Sequence, residues 1–195
     1  MKIAKALWSL GCLFVNVTII IYIYLSKSAP QDLEDRIEYM NQNWNLYSAH
    51  WKAEFLFMTM IAIGAVYFAV NLKKISWSII VVGQLILLLV YPIMLGGYRN
   101  TPIDVSEMAN QMAVVIFIFG NIVFFGGTYL LYYQDRELKK WLRMLAMTIS
   151  FIGGMIFSIS FVGFIDWKQA LVAGPLINIL YLINAYYGLK IKISD

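Results

Sequence analysis

Two residues with complementary acid–base properties, His50 and Glu54, stand four positions apart in this chain. On a continuous helix, that spacing places both side chains on one face, where they can form a hydrogen-bonded pair. A histidine beside a carboxylate is a common arrangement of a general acid or base, so the pair is a candidate site for proton transfer. The alternative is that both groups reach interfacial water near Lys52. No nucleophile stands beside the pair, and we therefore favour the alternative.

Metal and cofactor chemistry has little support in the rest of the sequence. His50 is the only histidine and Cys12 the only cysteine, which excludes sites built from several imidazoles or thiolates and any intrachain disulfide. The sequence contains no phosphate-binding loop, dinucleotide fingerprint or nucleophile elbow. We predict no catalytic residue, no metal and no cofactor.

Neutral polar residues mark the middle of the apolar runs. An unpaired amide in hydrocarbon is costly, so these side chains should face other helices. Gln84 and Tyr91 are seven residues apart and share a helix face, as do Asn178 and Tyr181 at a spacing of three. Such groups either hold helices together or line a pocket, with amides and phenols orienting the ligand. The predicted pocket residues are His50, Trp51, Glu54, Gln84, Tyr91, Arg99, Asn121, Asn178 and Tyr181.

The elements that must position these residues are apolar runs of membrane-spanning length. The mean hydropathy is +0.71, and 61% of the 195 residues are hydrophobic. A bilayer core of about 30 Å requires about 20 apolar residues in a helix. We therefore predict an all-α fold, with residues 1–195 forming one domain of six transmembrane helices. The runs are Ile3 to Leu25, Ala53 to Val70, Ser76 to Leu95, Met112 to Tyr133, Leu142 to Ile165 and Ala170 to Leu189.

Basic residues are distributed unequally between the two sides of these runs. Ten lie on the side of the N-terminus and five on the other side, which also carries eight of the eleven acidic residues. Because the positive side of a membrane protein is cytoplasmic, we expect both termini in the cytoplasm and the protein in the plasma (inner) membrane. The net charge of +4 is then an orienting asymmetry and no evidence for nucleic-acid binding. The five on the outer side are Lys27, Arg36, Lys52, Arg99 and Lys168.

The first outer connection carries an amphipathic pattern over about residues 31–52. Its apolar positions alternate spacings of four and three, as on one face of a helix. We expect one helix here, lying on the outer membrane surface. It either covers the bundle ends or acts as a lid or docking surface. The apolar positions are Leu33, Ile37, Met40, Trp44, Tyr47 and Trp51.

Short connections and small residues predict how the helices pack. The short cytoplasmic connections favour sequential helices as antiparallel neighbours in one bundle. In the fifth run, Ser150, Gly154 and Ser158 are four residues apart and allow close approach of another helix, in this chain or in a membrane partner or second copy. Pro92 and Pro175 each remove a backbone donor within a run, so we expect kinks there.

Three functional hypotheses follow from these patterns. The first is a protein that binds or transports a small neutral or amphipathic molecule in an outward-facing pocket. The second is an accessory or scaffold subunit of a membrane complex, and the third is a membrane enzyme that uses His50 and Glu54. A void lined by Gln84, Asn121 and Tyr181 would favour the first hypothesis, whereas direct pairing of these side chains would favour the second.

Overall fold

The computed structural model describes residues 2–165 and 174–192, and every regular element within them is an α-helix. The prediction of an all-α fold is confirmed for these residues. Their helices are α1 (Lys2–Ser26), α2 (Leu33–Gln42), α3 (Trp44–Leu72), α4 (Ile75–Leu88), α5 (Val90–Gly97), α6 (Ile103–Gln134), α7 (Lys140–Phe161) and α8 (Gly174–Lys190).

Five helical segments are long and apolar enough to cross a membrane: α1, α3, α4 together with α5, α6 and α7. They match five of the six predicted runs. Lys168 and the first residues of the sixth run, 170–173, lie outside the described residues, and the rest of that run forms α8. Two helices begin earlier than hydropathy alone predicts, because α3 and α6 each start with a more polar segment.

The surface of the helices suits a lipid environment. One large apolar side chain on each long helix illustrates this: Ile20, Ile63, Leu85, Val115 and Phe151 are all more than half exposed. Water-soluble proteins rarely expose apolar surface as continuously as this. The structure is therefore that of a membrane-integral protein.

The helices form a closed ring in chain order. Helix α1 packs against α3, α3 against α4, α4 against α6, and α6 against α7, while α8 contacts both α7 and α1. Glycines permit the closest approaches, since a Cβ atom on Gly83 would lie 2.7 Å from the backbone nitrogen of Phe124, and one on Gly64 would lie 2.9 Å from Cβ of Trp8. The ring is thus tightly packed between α4 and α6 and between α1 and α3.

Contacts between segments define two ends of the ring. At one end, the Trp51 ring lies 5.7 Å from the Tyr98 ring, between their centroids. We call this the α2 end, because α2 covers it. At the other end, Lys74 pairs with Asp135. We call it the terminal end, because it carries the first residues of α1 and the last residues of α8.

The prediction of one amphipathic helix over residues 31–52 is wrong. Helix α2 ends at Gln42, and α3 begins at Trp44 and continues to Leu72. The break falls at Asn43, whose side-chain nitrogen donates to the carbonyl of Tyr39 at 2.9 Å and so competes with regular helix geometry.

The apolar stripe of this segment nevertheless faces one way. Ile37, Met40, Tyr47 and Trp51 are all buried in the hydrophobic core. Helix α2 begins at Asp32, whose carboxylate accepts hydrogen bonds from two backbone N–H groups of the first turn. The stripe therefore packs on protein and closes over the ends of the ring.

The kink predicted at Pro92 is confirmed as a break in the helix. Helix α4 ends at Leu88 and α5 begins at Val90. Because Pro92 has no N–H group, the carbonyl of Leu88 loses its helical partner, and the proline ring crowds the same carbonyl. Pro175 is the second residue of α8, next to the residues outside the described ranges, and its kink stays a prediction.

Candidate functional site

A cavity of about 420 Å³ lies among the helices toward the α2 end. Its walls come from α1, α3, α4, α5, α6 and α8, and most lining side chains are apolar. The volume falls within the range of small-molecule sites, about 300–1,000 Å³. The polar side chains of the lining are Tyr22, Ser26, Lys27, Glu54, Tyr91, Asn110, Asn121 and Tyr181.

Five of the nine predicted pocket residues line this cavity: Trp51, Glu54, Tyr91, Asn121 and Tyr181. Trp51 and Glu54 come from α3, Tyr91 from α5, Asn121 from α6 and Tyr181 from α8. Helices far apart in sequence thus contribute these side chains to the lining of one cavity. Asn121 donates to the carbonyl of Phe117 in its own helix at 2.8 Å, and its amide oxygen is the group that remains for another partner.

His50 lies behind the cavity wall. It is buried, and its imidazole stacks on the ring of Tyr22 with 5.7 Å between centroids. Its Nε2 atom is 3.6 Å from the Glu54 carboxylate, which is longer than a hydrogen bond. The two residues share a face of α3, as their spacing predicts, but they form no direct proton relay in this arrangement.

Gln84 and Asn178 pack between helices. The Gln84 side chain is fully buried beside Tyr181, and both of its polar atoms lack a hydrogen-bond partner within the described residues. Asn178 contributes its backbone carbonyl, which accepts from the side chain of Asn16 at 2.7 Å and ties α8 to α1. Both residues therefore lie between helices and outside the cavity lining.

Arg99 lies on the surface of the α2 end. Its guanidinium sits 6.0 Å from the ring centre of Trp44, a distance at which cation–π attraction is weak. The residue borders a separate shallow depression between the α2–α3 junction and the loop before α6. Arg99 therefore does not belong to the cavity.

Sequence reasoning missed four polar residues of the cavity: Tyr22, Ser26, Lys27 and Asn110. The Asn110 side-chain oxygen accepts a hydrogen bond from Tyr98 at 2.8 Å. Asn110 and Asn121 stand three helical turns apart and so share a face, a signal that was available in the sequence. It went unused because Asn110 precedes the apolar run that marks the fourth predicted span.

The terminal end of the ring is filled by aromatic side chains. Trp8 and Trp77 are fully buried and meet edge to face at 4.9 Å, and Phe68 lies 4.7 Å from Trp77. The indole N–H of Trp8 donates to the backbone carbonyl of Asn184 at 2.8 Å. The side chain of Asn184 in turn accepts a hydrogen bond from Tyr132. No polar side chain of the cavity belongs to this cluster.

A buried carboxylate closes the terminal end. Asp135 is only 7% exposed, and its Oδ2 atom lies 2.7 Å from both the Lys74 ammonium and the Tyr187 hydroxyl. Burial on its own would raise the pKa of Asp135, but hydrogen bonds from Lys74, Tyr187 and the backbone N–H of Glu137 outweigh it, and the net pKa is lowered. Asp135 is therefore held as a carboxylate.

The small residues of the fifth run lie on α7 and meet α6. The hydroxyl of Ser150 is 3.1 Å from that of Thr128, and a Cβ atom on Gly154 would be 3.5 Å from Phe125. The Ser158 hydroxyl donates to the carbonyl of Gly154. Part of this stripe thus packs within the chain, and its use by a partner subunit stays a prediction.

The fold and the cavity define a class: a helical protein with membrane-length helices around a ligand-sized space. No family model, curated protein or solved structure matches the chain. Any more specific function has to be argued from the residues themselves.

Proposed function

We propose that this chain is a polytopic protein of the plasma (inner) membrane, with six antiparallel transmembrane helices and both termini in the cytoplasm. The basic residues that flank the helices on the side of the N-terminus support this orientation. The contact of Gly64 with Trp8, near the end of α3 and the beginning of α1, supports the antiparallel pairing. A reporter that is active only in the cytoplasm should be active when it is fused to the C-terminus. Activity of a reporter that works only on the exterior would reverse the assignment.

We further propose that the protein binds a small amphipathic molecule in the cavity, reached from the outer side, as a carrier or receptor. One observation carries this proposal: polar side chains from α3, α5, α6 and α8 converge on a space of about 420 Å³ whose remaining walls are apolar. Such a combination suits a ligand with a polar head and an apolar body.

The polar groups of the cavity do not saturate one another, which supports binding over a purely structural role. The Tyr181 hydroxyl donates to the sulfur of Met58, at 3.7 Å, which is a weak acceptor. Asn121 and Tyr181, which both line the cavity, form no hydrogen bond with each other within the described residues. The amide oxygen of Asn121 and the hydroxyl of Tyr181 can therefore bond a ligand.

Filling the cavity tests this function. Ala113 is buried, lines the cavity and belongs to α6, so Ala113→Phe places a ring in the space that a ligand needs. Ala6→Phe adds the same ring on an exposed part of α1 and is the matched control. Decanol serves as an amphipathic probe, and native mass spectrometry of the purified protein in detergent counts the bound molecules.

We expect decanol to bind the wild-type protein and Ala6→Phe with equal stoichiometry and to be lost from Ala113→Phe. The thermal unfolding temperature of each protein shows that the variants fold. Equal binding to Ala113→Phe would locate the ligand elsewhere, and no binding to the wild-type protein would refute this function for the cavity.

A further inference from the structure

Among the described residues, Glu54 is the acidic side chain of the cavity lining. Its side chain is 17% exposed, and within the described residues no lysine or arginine lies at ion-pair distance from it. Its basic neighbour, His50, is 3.6 Å away behind the wall. An enclosed carboxylate without a cationic partner is costly, and a cation entering the cavity would remove that cost.

Aromatic residues share the cavity lining with this carboxylate. Trp51 precedes Glu54 by three residues on the same face of α3, and the Tyr91 hydroxyl lies beside the carboxylate. Tyr22 of α1 lines the same cavity. Aromatic faces attract ammonium groups, most strongly where water is excluded. A carboxylate and three aromatic residues in one cavity lining are a combination that can recognise an organic cation.

Lys27 is the basic side chain of the same lining, and it opposes this attraction only weakly. It follows α1, its side chain is exposed, and its long stem carries the ammonium into water. Water screens a charge at the mouth far more than one within the cavity. Glu54 therefore dominates the field at the enclosed part of the site.

The apolar walls set the rest of the ligand. Val15, Leu87, Val114 and Ile177 line the cavity from α1, α4, α6 and α8 and suit an alkyl or other apolar body. We propose that the cavity selects an amphipathic organic cation, such as an alkylammonium, with Glu54 as its counter-ion. The inference rests on the proposed binding function and adds the class of ligand to it.

A competition experiment tests the selectivity. Decylamine and decanol have the same chain and differ in the charge of the head group. Equal concentrations of both are added to the purified wild-type protein in detergent, and native mass spectrometry measures the ratio of the two adducts. The same samples are prepared with Glu54→Gln, which removes the charge but keeps the shape, and with Glu34→Gln, which removes a charge from the exposed face of α2.

We expect the wild-type protein and Glu34→Gln to prefer the amine by about tenfold, the effect of one charge-assisted hydrogen bond. Glu54→Gln should bind both molecules with a ratio near one. Because all samples contain the same detergent, partitioning of the probes into micelles affects them equally.

The outcomes separate this inference from the proposed function. If the wild-type protein binds both probes equally and Ala113→Phe loses both, the cavity binds ligands but the selection of a cation is refuted. If the wild-type protein binds neither probe, the proposed function fails and the inference with it. A preference that survives Glu54→Gln would also overturn the inference. Should that variant not fold, the wild-type protein provides the second test on its own, because equal binding of the amine and the alcohol would contradict the inference.

Discussion

The two ends of the helical ring differ in what occupies the space between the helices. At the terminal end, Trp8, Phe68 and Trp77 fill that space, and the buried carboxylate of Asp135 pairs there with Lys74. At the α2 end, the same helices leave a cavity of about 420 Å³. The difference teaches that ring closure does not by itself fill the interior, and it is the reason we propose that a ligand enters from the α2 end.

The break between α4 and α5 accompanies this difference. Leu87 and Val90, on either side of the break, both line the cavity. Before the break, Gly83 brings α4 into backbone contact with Phe124 of α6. After the break, α5 continues to Gly97, and Pro92 leaves the carbonyl of Leu88 without its helical partner. The tightly packed and the open parts of the ring thus meet where the helix is interrupted.

Truncation of Trp8 should have the largest effect on stability, because it leaves a space at the terminal end. We expect Trp8→Ala to destabilise the protein by about 3–5 kcal/mol, the usual cost of removing a buried aromatic ring. Trp141→Ala is the matched control, since Trp141 is 65% exposed, and it should change stability by less than about 0.5 kcal/mol. Denaturant unfolding in detergent measures both. Equal effects of the two substitutions would contradict a filled terminal end.

Removal of the buried charge should have the next largest effect. We expect Asp135→Asn to cost about 1.5–3 kcal/mol, because hydrogen bonds to a buried charged group are lost. Lys74→Met should cost less, about 1 kcal/mol, because the Lys74 side chain is 37% exposed and Asp135 keeps its bond from Tyr187. The same unfolding assay compares the two, and a larger loss for Lys74→Met would reverse this ranking.

The pH dependence of stability tests how much the Asp135 carboxylate contributes. Its pKa is lowered in the folded protein, so its contribution is complete above the ordinary aspartate pKa of about 3.9. The contribution is lost as the pH falls through the lowered pKa of the folded state. Unfolding at a series of acidic pH values should therefore show a decline that Asp135→Asn reduces. An identical decline in both proteins would assign the effect to other groups.

The smallest effect on stability is expected at the α2 end. Tyr98→Phe removes one hydrogen bond, to the Asn110 side chain at 2.8 Å, and should cost about 1 kcal/mol. Because Asn110 lines the cavity, its freed oxygen should also alter decanol binding, whereas Tyr133→Phe on the exposed surface should not. Unchanged stability and binding in Tyr98→Phe would show that this contact does not shape the cavity.

Much of the helical architecture was predictable because it depends on local composition. Apolar runs predict long helices, and the spacing of Trp51 and Glu54 places them on one face of α3, where the structure has them. The break at Asn43 was not predictable from periodicity, since the apolar stripe continues through it. At Asn43 the backbone leaves regular helix geometry, and a side-chain hydrogen bond to the carbonyl of Tyr39 accompanies the break.

The composition of the cavity was only partly predictable because it depends on which helices become neighbours. From its place near the end of an apolar run, Tyr22 resembles a residue of the membrane interface. The position of α1 in the ring nevertheless makes it part of the cavity lining. Lys74 and Asp135 belong to two separate short connections, and no local pattern relates them. Their pairing follows from the packing of α4 against α6.

The most direct test of one-ended access compares two single cysteines in a Cys12→Ala background. Ala113→Cys faces the cavity and Ser76→Cys lies at the terminal end, and both side chains are at most 4% exposed in the wild-type structure. The purified proteins are treated with a small water-soluble methanethiosulfonate reagent, and intact mass spectrometry follows the modification. We predict rapid modification of Ala113→Cys, slowed by decylamine, and protection of Ser76→Cys. Equal rates at the two positions, or faster modification of Ser76→Cys, would contradict an open α2 end and a closed terminal end.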